Sequence, residues 1–243
     1  MNIKEKILLD RPGLEEHGAI TIVAFGDSVT HGAVASGEIN YETVYYNRLR
    51  QMINRRRNYM PVNVINSAIG GTTAAASVAR MQRQVFDHHP DLVIVCFGLN
   101  DVNGTLETYL GALRTIFTRC IEEGVETVFL TPNMLNTYVA GDTEQKWWEY
   151  AHKTAEMQNG GRMDQFMSEA CALAREMGVA VCDCYSKWKA LAAAGTDTTM
   201  LLANRINHPV KEMHALFAES LYEVIFGEEA PGAKEGDSTM YRG

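Results

Sequence analysis

The chain has 243 residues, of which 46% are hydrophobic and 21% are charged, a composition typical of an ordinary globular protein. Its 30 acidic side chains outnumber 22 lysines and arginines, and the formal charge of −8 argues against nucleic acid or an anionic membrane as a partner. The longest apolar run, residues 92–97, is far shorter than the roughly 20 residues that cross a bilayer. We therefore expect a single domain over residues 1–243.

The N-terminus and the cysteines both favour a cytoplasmic protein. The first residues contain no long apolar segment and no small-residue cleavage site of a secretory signal. The five cysteines fall on predicted strands or on apolar helix stripes, where free thiols pack as small hydrophobic side chains. Cys182 and Cys184 share a strand face without the turn of a metal-binding C-x-x-C pair, so no metal and no cofactor is expected.

Five short apolar runs, rich in β-branched residues, predict strands that are buried on both faces. They cover residues 19–25, 62–68, 91–97, 125–130 and 179–184. The segments between them and after the last carry apolar residues at helical spacing, clearest around residues 45–53, 106–121, 163–177 and 213–225. Alternating strands and helices predict an α/β fold, a three-layer α/β/α sandwich around a parallel five-stranded sheet.

Two segments depart from this alternation. Residues 136–161 are polar, contain aromatic side chains and are too long for a plain strand-to-helix connection, so they are expected to form an insertion over one end of the sheet. Residues 227–243 have few apolar anchors and predict a mobile C-terminal tail or a segment that packs between chains. Formation of a homo-oligomer is left open by the sequence.

The residues that follow the predicted strands are those expected near a ligand, because open parallel sheets bind ligands at the carboxyl ends of their strands. The first strand ends in GDSVTHG at residues 26–32, the second in NSAIGGTT at residues 66–73 and the third in GLND at residues 98–101. An Asn-His-Pro triplet at residues 207–209 precedes the last predicted helix. Together they offer a nucleophile, a base and several hydrogen-bond donors, which acyl transfer requires.

In order and spacing, these four segments resemble the signature blocks of the SGNH hydrolases, also called GDSL esterases or lipases, and the strand-helix pattern agrees over about residues 19–226. The resemblance implies a flavodoxin-like sheet of order 2-1-3-4-5. It also implies Ser28 as nucleophile, His208 as general base, and an oxyanion hole formed by the Ser28 amide, the Gly71 amide and the Asn100 side chain.

One position departs from the family pattern. The family usually places an aspartate three residues before the histidine, where it orients the imidazole, but this chain has Arg205 there. Asn204 is one candidate for the orienting group, because an amide oxygen accepts the Nδ1 proton. A backbone carbonyl is another, and Asp197 and Asp183 are the nearest carboxylates.

Four further residues are candidates for substrate binding. Asp27 precedes the predicted nucleophile, although an aspartate in such a loop more often caps backbone amides. Asn133 follows the fourth strand and is expected to border the site. Trp147 and Trp148 lie in the insertion, where they either stack on a sugar or acyl group or fix the insertion to the body of the protein.

These features favour a serine esterase that removes a short acyl group, such as acetyl, from a carbohydrate or another small ester. A thioesterase or lysophospholipase type of acyl hydrolase is a variant of that interpretation. The alternative from a different class is a non-catalytic domain that binds a sugar or another small ligand on the same scaffold, because fold does not guarantee activity. A flavin-binding protein is less compatible with an acid and a histidine in the first loop.

Overall fold

A computed structural model describes residues 1–35 and 37–230 of the chain. Five parallel strands form one sheet of order β2-β1-β3-β4-β5, which confirms the expected order. The strands are β1 (Ile20–Gly26), β2 (Val62–Asn66), β3 (Leu92–Cys96), β4 (Glu126–Leu130) and β5 (Ala180–Cys182). Strands β2 and β5 therefore lie at the two edges of the sheet, and β1 lies beside β3.

The helices connect and flank these strands. They are α1 (Ile3–Lys6), α2 (Arg11–His17), α3 (Ser28–His31), α4 (Tyr45–Arg56), α5 (Ala74–Ser77), α6 (Met81–Gln84), α7 (Leu106–Glu122), α8 (Trp148–Asn159), α9 (Arg162–Glu176), α10 (Cys184–Ala193) and α11 (His214–Phe226). Short 3₁₀ turns cover Val78–Arg80, Phe86–His88, Asp101–Asn103, Gln145–Trp147 and Lys211–Met213. None of the helices in the described residues is long and apolar enough to span a bilayer.

The predicted three-layer arrangement is confirmed. Helix α4 packs against α11, whereas α7 packs against α5 and α9. The apolar stripes predicted from spacing are the buried faces of these helices, as Leu49 of α4, Phe117 of α7 and Phe217 of α11 show with no exposed surface. Every residue of β3 is buried, as expected for a central strand covered on both faces. The apolar side chains from both layers form a hydrophobic core around the sheet.

Some boundaries and elements differ from the sequence-based expectations. Cys184 was placed in the fifth strand, but β5 ends at Cys182 and Cys184 begins helix α10, because the Asp183 side chain caps that helix by accepting from the Ser186 amide. The insertion contains helix α8, for which no helical stripe was predicted. In the predicted tail, helix α11 ends at Gly227, and residues 231–243 lie outside the described part of the chain.

Candidate active site

The loop after β1 positions Ser28 at the start of helix α3. The Asp27 side chain caps this helix by accepting a hydrogen bond from the Val29 amide at 3.1 Å. The helix is a single turn that ends at Gly32, whose φ of +100° is readily adopted only by glycine. As a result the chain turns back after one helical turn, and Ser28 stays at the carboxyl end of the central strand β1.

His208 reaches the same point from the other end of the sequence. It lies on a narrow loop that is closed by hydrogen bonds from the Ala203 amide to the His208 carbonyl, at 2.7 Å, and from the Val210 amide to the Leu201 carbonyl, at 2.9 Å. Its Nε2 lies 3.0 Å from the Ser28 Oγ. The structure therefore brings together the two residues that the sequence nominated as nucleophile and base.

The partner of the second imidazole nitrogen of His208, Nδ1, identifies the tautomer. The Nδ1 atom of His208 lies 3.1 Å from the backbone carbonyl oxygen of Val34. A carbonyl oxygen only accepts, so Nδ1 carries the proton, Nε2 is bare and the Ser28 hydroxyl donates to it. Burial lowers the pKa of His208 below 6.5, and the Val34 hydrogen bond opposes this shift only in part. The imidazole is thus neutral at neutral pH and able to accept a proton.

The Val34 carbonyl is held by the segment that follows helix α3. The Ala33 amide donates to the Ser28 carbonyl at 2.9 Å, and the Val34 amide donates to the Glu38 carbonyl at 3.0 Å. The group at the imidazole Nδ1 thus comes from the same loop as the nucleophile. A backbone carbonyl was among the predicted alternatives, but no side-chain pattern in the sequence singles out residue 34.

The prediction that Asn204 orients the imidazole is wrong. Its side-chain Oδ1 accepts from the backbone amides of Ile206, Asn207 and His208, at 3.1, 3.0 and 2.9 Å. An oxygen that closes a turn on three amides is not directed at the ring of His208. Asn204 therefore shapes the loop that holds His208.

The two aspartates considered as alternatives are also engaged elsewhere. Asp197 accepts from the Tyr138 hydroxyl at 2.6 Å, and Asp183 caps helix α10. Arg205, at the position where the family has its acid, adopts a φ of +59° and forms an ion pair with Asp142 at 2.9 Å. The arginine thereby fastens the histidine loop to the inserted segment.

Replacement of Asn204 tests this structural role. In Asn204→Ala, three partly buried amides lose their acceptor, and we expect a loss of about 1–3 kcal/mol in unfolding free energy. Ester turnover should fall by about 10- to 100-fold, because His208 loses its fixed position. Asn204→Asp keeps the acceptor oxygen and should retain most of both properties. Thermal denaturation and kcat check this; equal losses in the two variants would contradict it.

The donors expected to form an oxyanion hole lie next to Ser28. In the described residues, no hydrogen bond uses the backbone amides of Ser28 or Gly71. Gly71 is exposed, with φ of +77°, in a turn closed by a bond from the Thr72 amide to the Ile69 carbonyl. The Asn100 Nδ2 donates to the Thr72 carbonyl at 3.1 Å, so the side chain is fixed against the same turn. A methyl group placed on Gly70, which precedes Gly71, would lie 3.7 Å from the Ser28 Cβ, and Asn100 contacts Asp27, so both the turn and the amide lie near the serine.

Two buried carboxyl groups lie behind Asn100. Asp27 has no exposed surface, and its Oδ2 lies 3.5 Å from the Asn100 Nδ2. The prediction that Asp27 binds substrate is therefore wrong, because a fully buried carboxyl group that caps helix α3 does not reach a ligand. Burial raises the pKa of Asp27 to about 7 and that of Asp101 to about 6, and for Asp27 the nearby charge of Asp101 adds to the shift.

Replacement of Asp101 tests how much unfolding free energy is lost by burying its charge. Its Oδ1 accepts from the Ala74 amide at 2.9 Å, whereas its buried Oδ2 has no hydrogen-bond partner among the described residues. A carboxyl pKa raised from 3.8 to about 6 destabilises the fold progressively as pH rises through that interval. Asp101→Asn keeps the Oδ1 acceptor and removes the charge, so we expect it to raise the unfolding free energy at pH 8 by up to about 3 kcal/mol.

At pH 3.5 the same substitution should leave stability nearly unchanged, because Asp101 is then protonated in both the folded and the unfolded chain. Chemical denaturation of both proteins at the two pH values checks the prediction. A similar increase in unfolding free energy at both pH values would show that the increase does not come from removing the charge of Asp101.

The Asn133 side chain is buried beside the loop that carries His208. The side chain is fully buried, and its Nδ2 donates to the backbone carbonyls of Met134 and Asn207, at 2.8 and 2.9 Å. The prediction of a substrate-binding role is therefore wrong, since the amide is used to hold the residue preceding His208. Position after a strand predicted proximity to the site correctly, but not the direction in which the side chain points.

The insertion borders the site on two sides. The Asn136 amide donates to the Ile206 carbonyl at 2.9 Å, and the Asn103 side chain contacts the Tyr150 hydroxyl at 3.4 Å. Trp148 is fixed within the insertion by a bond from its indole N–H to the Thr143 carbonyl at 2.8 Å. Trp147 keeps 45% of its surface exposed. In the described structure, no hydrogen bond or ring contact joins either tryptophan to the catalytic candidates.

A second histidine, His214, is buried in the same half of the molecule. The side chain is only 2% exposed, its Nδ1 accepts from the Tyr45 amide at 3.3 Å, and its ring stacks on that of Tyr45. Burial lowers the pKa of His214 to about 3. This histidine is therefore a neutral packing residue between α4 and α11, and His208 remains the candidate base.

Comparison with solved structures supports the fold. The chain resembles solved structures of Axe2, an acetylxylan esterase from Geobacillus stearothermophilus, with 19% identity, a TM-score of 0.65, and coverage of 86% of this chain and 95% of Axe2. It also resembles the acetyl xylan esterase AlAXEase, with 18% identity, a TM-score of 0.66, and coverage of 85% of this chain and 100% of that one.

Sequence comparisons give a distant curated relative and a family. An uncharacterized lipoprotein, YqeF of Bacillus subtilis (strain 168), is 31% identical over 97 residues, and the match spans 39% of this chain and 37% of that protein. The model of the GDSL-like lipase/acylhydrolase family matches residues 24–216, which include all four sequence blocks described above. The chain therefore belongs to the GDSL-like lipase/acylhydrolase family of ester hydrolases.

Proposed function

We propose that this ester hydrolase uses a Ser28–His208 dyad, oriented by the Val34 carbonyl, to remove short acyl groups from hydroxylated substrates. The observation that carries the proposal is the line of hydrogen bonds from Ser28 Oγ to His208 Nε2, at 3.0 Å, and from His208 Nδ1 to the Val34 oxygen, at 3.1 Å. An acceptor nitrogen facing a serine hydroxyl is the arrangement that general-base activation requires.

In the first step, Ser28 Oγ forms a bond to the ester carbonyl carbon while its proton passes to His208 Nε2. The electron pair of the C=O bond moves to the oxygen, which we place against the amides of Ser28 and Gly71 and the Nδ2 of Asn100. When the tetrahedral species collapses, the C–O bond to the alcohol breaks and His208 returns the proton to the leaving oxygen. The products of this half-reaction are the free alcohol and an acyl-serine.

Water completes the cycle at the same groups. His208 removes a proton from water as the water oxygen attacks the acyl carbon, and the same donors hold the second oxyanion. Collapse then breaks the bond to Ser28 Oγ, which regains the proton, and the carboxylic acid leaves. The Val34 carbonyl keeps the imidazole in one orientation through both steps, but it provides less charge for the transient imidazolium than a carboxylate would.

The orienting group distinguishes this site from that of Axe2. Catalytic mutants of Axe2 replace a serine, a histidine and an aspartate three positions before the histidine. The corresponding position here is Arg205, whose guanidinium is paired with Asp142. The contacts of Arg205 and of Asn204 support a dyad in which neither side chain takes the place of that acid.

The acyl group and alcohol are inferred from relatives of the same fold. The similar structures Axe2 and AlAXEase are described as acetylxylan esterases, which supports an acetyl group on a carbohydrate as the substrate of this chain. The exposed ring of Trp147, in the insertion that borders the site, offers an apolar face for a sugar ring.

The test combines a substrate series with an active-site label. Wild-type protein should release p-nitrophenol fastest from the acetyl ester, more slowly from the butyryl ester and least from the octanoyl ester. A fluorophosphonate should label the peptide that contains Ser28 and abolish turnover. Fastest turnover of the octanoyl ester would instead favour a thioesterase or lysophospholipase type of hydrolase. No turnover and no label would favour a non-catalytic binding domain.

A further inference from the structure

A groove runs along the outer edge of the sheet, beside strand β2. It has a volume of about 850 Å³, which lies in the range of ligand sites, and helix α4 forms its second wall. We refer to it as the β2-edge groove. Its lining includes Tyr41, Tyr46, Asn47, Arg50, Asn63 and Asn66.

At one end of the groove, Tyr41 contacts helix α3, which begins with Ser28. The Tyr41 hydroxyl lies 3.4 Å from the Nε2 of His31, one helical turn after Ser28. A methyl group placed on Gly70 would lie 3.7 Å from both the Nδ1 of His31 and the Cβ of Ser28, so the imidazole and the serine both lie beside this glycine. The Asn66 side chain, which also lines the groove, donates to the His31 carbonyl at 3.3 Å.

The groove extends away from the active site over the length of the strand. It follows Val62–Asn66 of β2, an extended segment of about 3.3 Å per residue, from Asn66 at the carboxyl end to Thr21 and His88 at the far end. Because parallel strands place their carboxyl ends at the active site, a ligand lying in the groove points one end at Ser28.

The lining suits a neutral, hydroxyl-rich molecule. Tyr41 exposes 55% of its surface and offers a ring face at the entrance. Beyond it lie side-chain amides and the aliphatic residues of β2, together with Glu42, Arg50 and His88. An exposed aromatic ring followed by groups that both donate and accept hydrogen bonds matches the alternating apolar faces and hydroxyl groups of sugars.

We propose that the β2-edge groove binds the alcohol part of the substrate, a chain of sugar rings whose acylated residue reaches Ser28. This inference rests on the proposed esterase function and assigns the side of the site from which a carbohydrate ester enters. Tyr41 stacks on the sugar nearest to the nucleophile, and Asn63 contacts sugars further along the edge strand.

The test compares a sugar ester with an ester that has no sugar. For wild type, Tyr41→Ala and Asn63→Trp, kcat/KM is measured on acetylated xylooligosaccharide and on p-nitrophenyl acetate. The first substitution removes the stacking ring and the second obstructs the groove from an exposed strand position. The kcat/KM on the sugar ester divided by the kcat/KM on p-nitrophenyl acetate should fall about tenfold in each variant, mainly because KM for the sugar ester rises. Tyr59→Ala, which removes a ring that is 53% exposed outside the groove, should leave the ratio unchanged.

Binding without turnover provides a second measurement. Deacetylated xylooligosaccharide should bind to Ser28→Ala protein about tenfold more weakly once Tyr41→Ala is added. Unchanged ratios and binding, or a wild type that hydrolyses p-nitrophenyl acetate but not the sugar ester, would overturn the inference and leave the esterase function standing. Failure of the esterase proposal is recognised separately, by absence of turnover of p-nitrophenyl acetate. The groove inference would also be overturned if the wild type were a dimer that Asn63→Trp converts to a monomer. That result would show that strand β2 pairs with a second copy of the chain.

Discussion

Ser28→Ala and His208→Ala are each expected to lower kcat for p-nitrophenyl acetate by about 10⁴-fold or more, with little change in KM. The first removes the atom that attacks the ester, and the second removes the acceptor 3.0 Å from it. Since the two act as one unit, the double variant should lose little more than either single variant. Losses that simply multiply would show that Ser28 and His208 act independently.

The pH dependence of kcat/KM distinguishes this dyad from a site whose imidazole has an ordinary pKa. Burial lowers the pKa of His208, so the acid limb of kcat/KM should have its midpoint below 6.5. His214→Asn serves as the matched control, since that histidine packs against Tyr45 and Phe217 and is not part of the site. The His214→Asn variant should show the same midpoint as the wild type. A midpoint above 6.5 in the wild type would contradict the buried, neutral base.

The sequence predicted the groups that are recognised by residue type and missed those that depend on geometry. Ser28 and His208 stand out because few side chains serve as nucleophile or base, and their strand-end positions follow from apolar runs. The Val34 carbonyl carries no such mark, because every residue has a carbonyl and its direction depends on a turn formed by Val34 and Glu38. A pattern-based search for the third group thus selected Asn204, a side chain that closes the neighbouring turn.

The fold was predictable for a related reason. Strands such as β3 are buried along their whole length, so their apolar runs are visible in the sequence. Helix α8 buries small and polar residues, among them Ala151, Thr154 and Gln158, and this gives no apolar stripe. The Gln158 side chain bonds to the Leu135 amide and the Tyr185 hydroxyl, contacts that cannot be inferred from spacing. The helix within residues 136–161 was therefore not predictable from apolar spacing.

Asn100→Ala should lower kcat by about 10²- to 10³-fold and leave KM nearly unchanged, because an oxyanion donor acts on the transition state more than on the bound ester. One amide hydrogen of Asn100 is held by the Thr72 carbonyl at 3.1 Å. The other meets the Asp27 Oδ2 only at 3.5 Å, near the outer limit of a hydrogen bond. That weakly used hydrogen is the one that we expect to interact with the developing oxyanion when an ester is bound.

The substitution must be distinguished from a general loosening of the loop. Asn54→Ala is a matched control, since Asn54 also donates from its side chain to a backbone carbonyl, that of Met60 at 2.9 Å, but lies on helix α4. It should cost stability without lowering kcat. Fluorophosphonate labelling of Asn100→Ala should slow in parallel with kcat, because the phosphonyl oxygen develops similar charge. A variant that lost kcat but reacted with the probe at the wild-type rate would show that Asn100 does not act at the oxyanion.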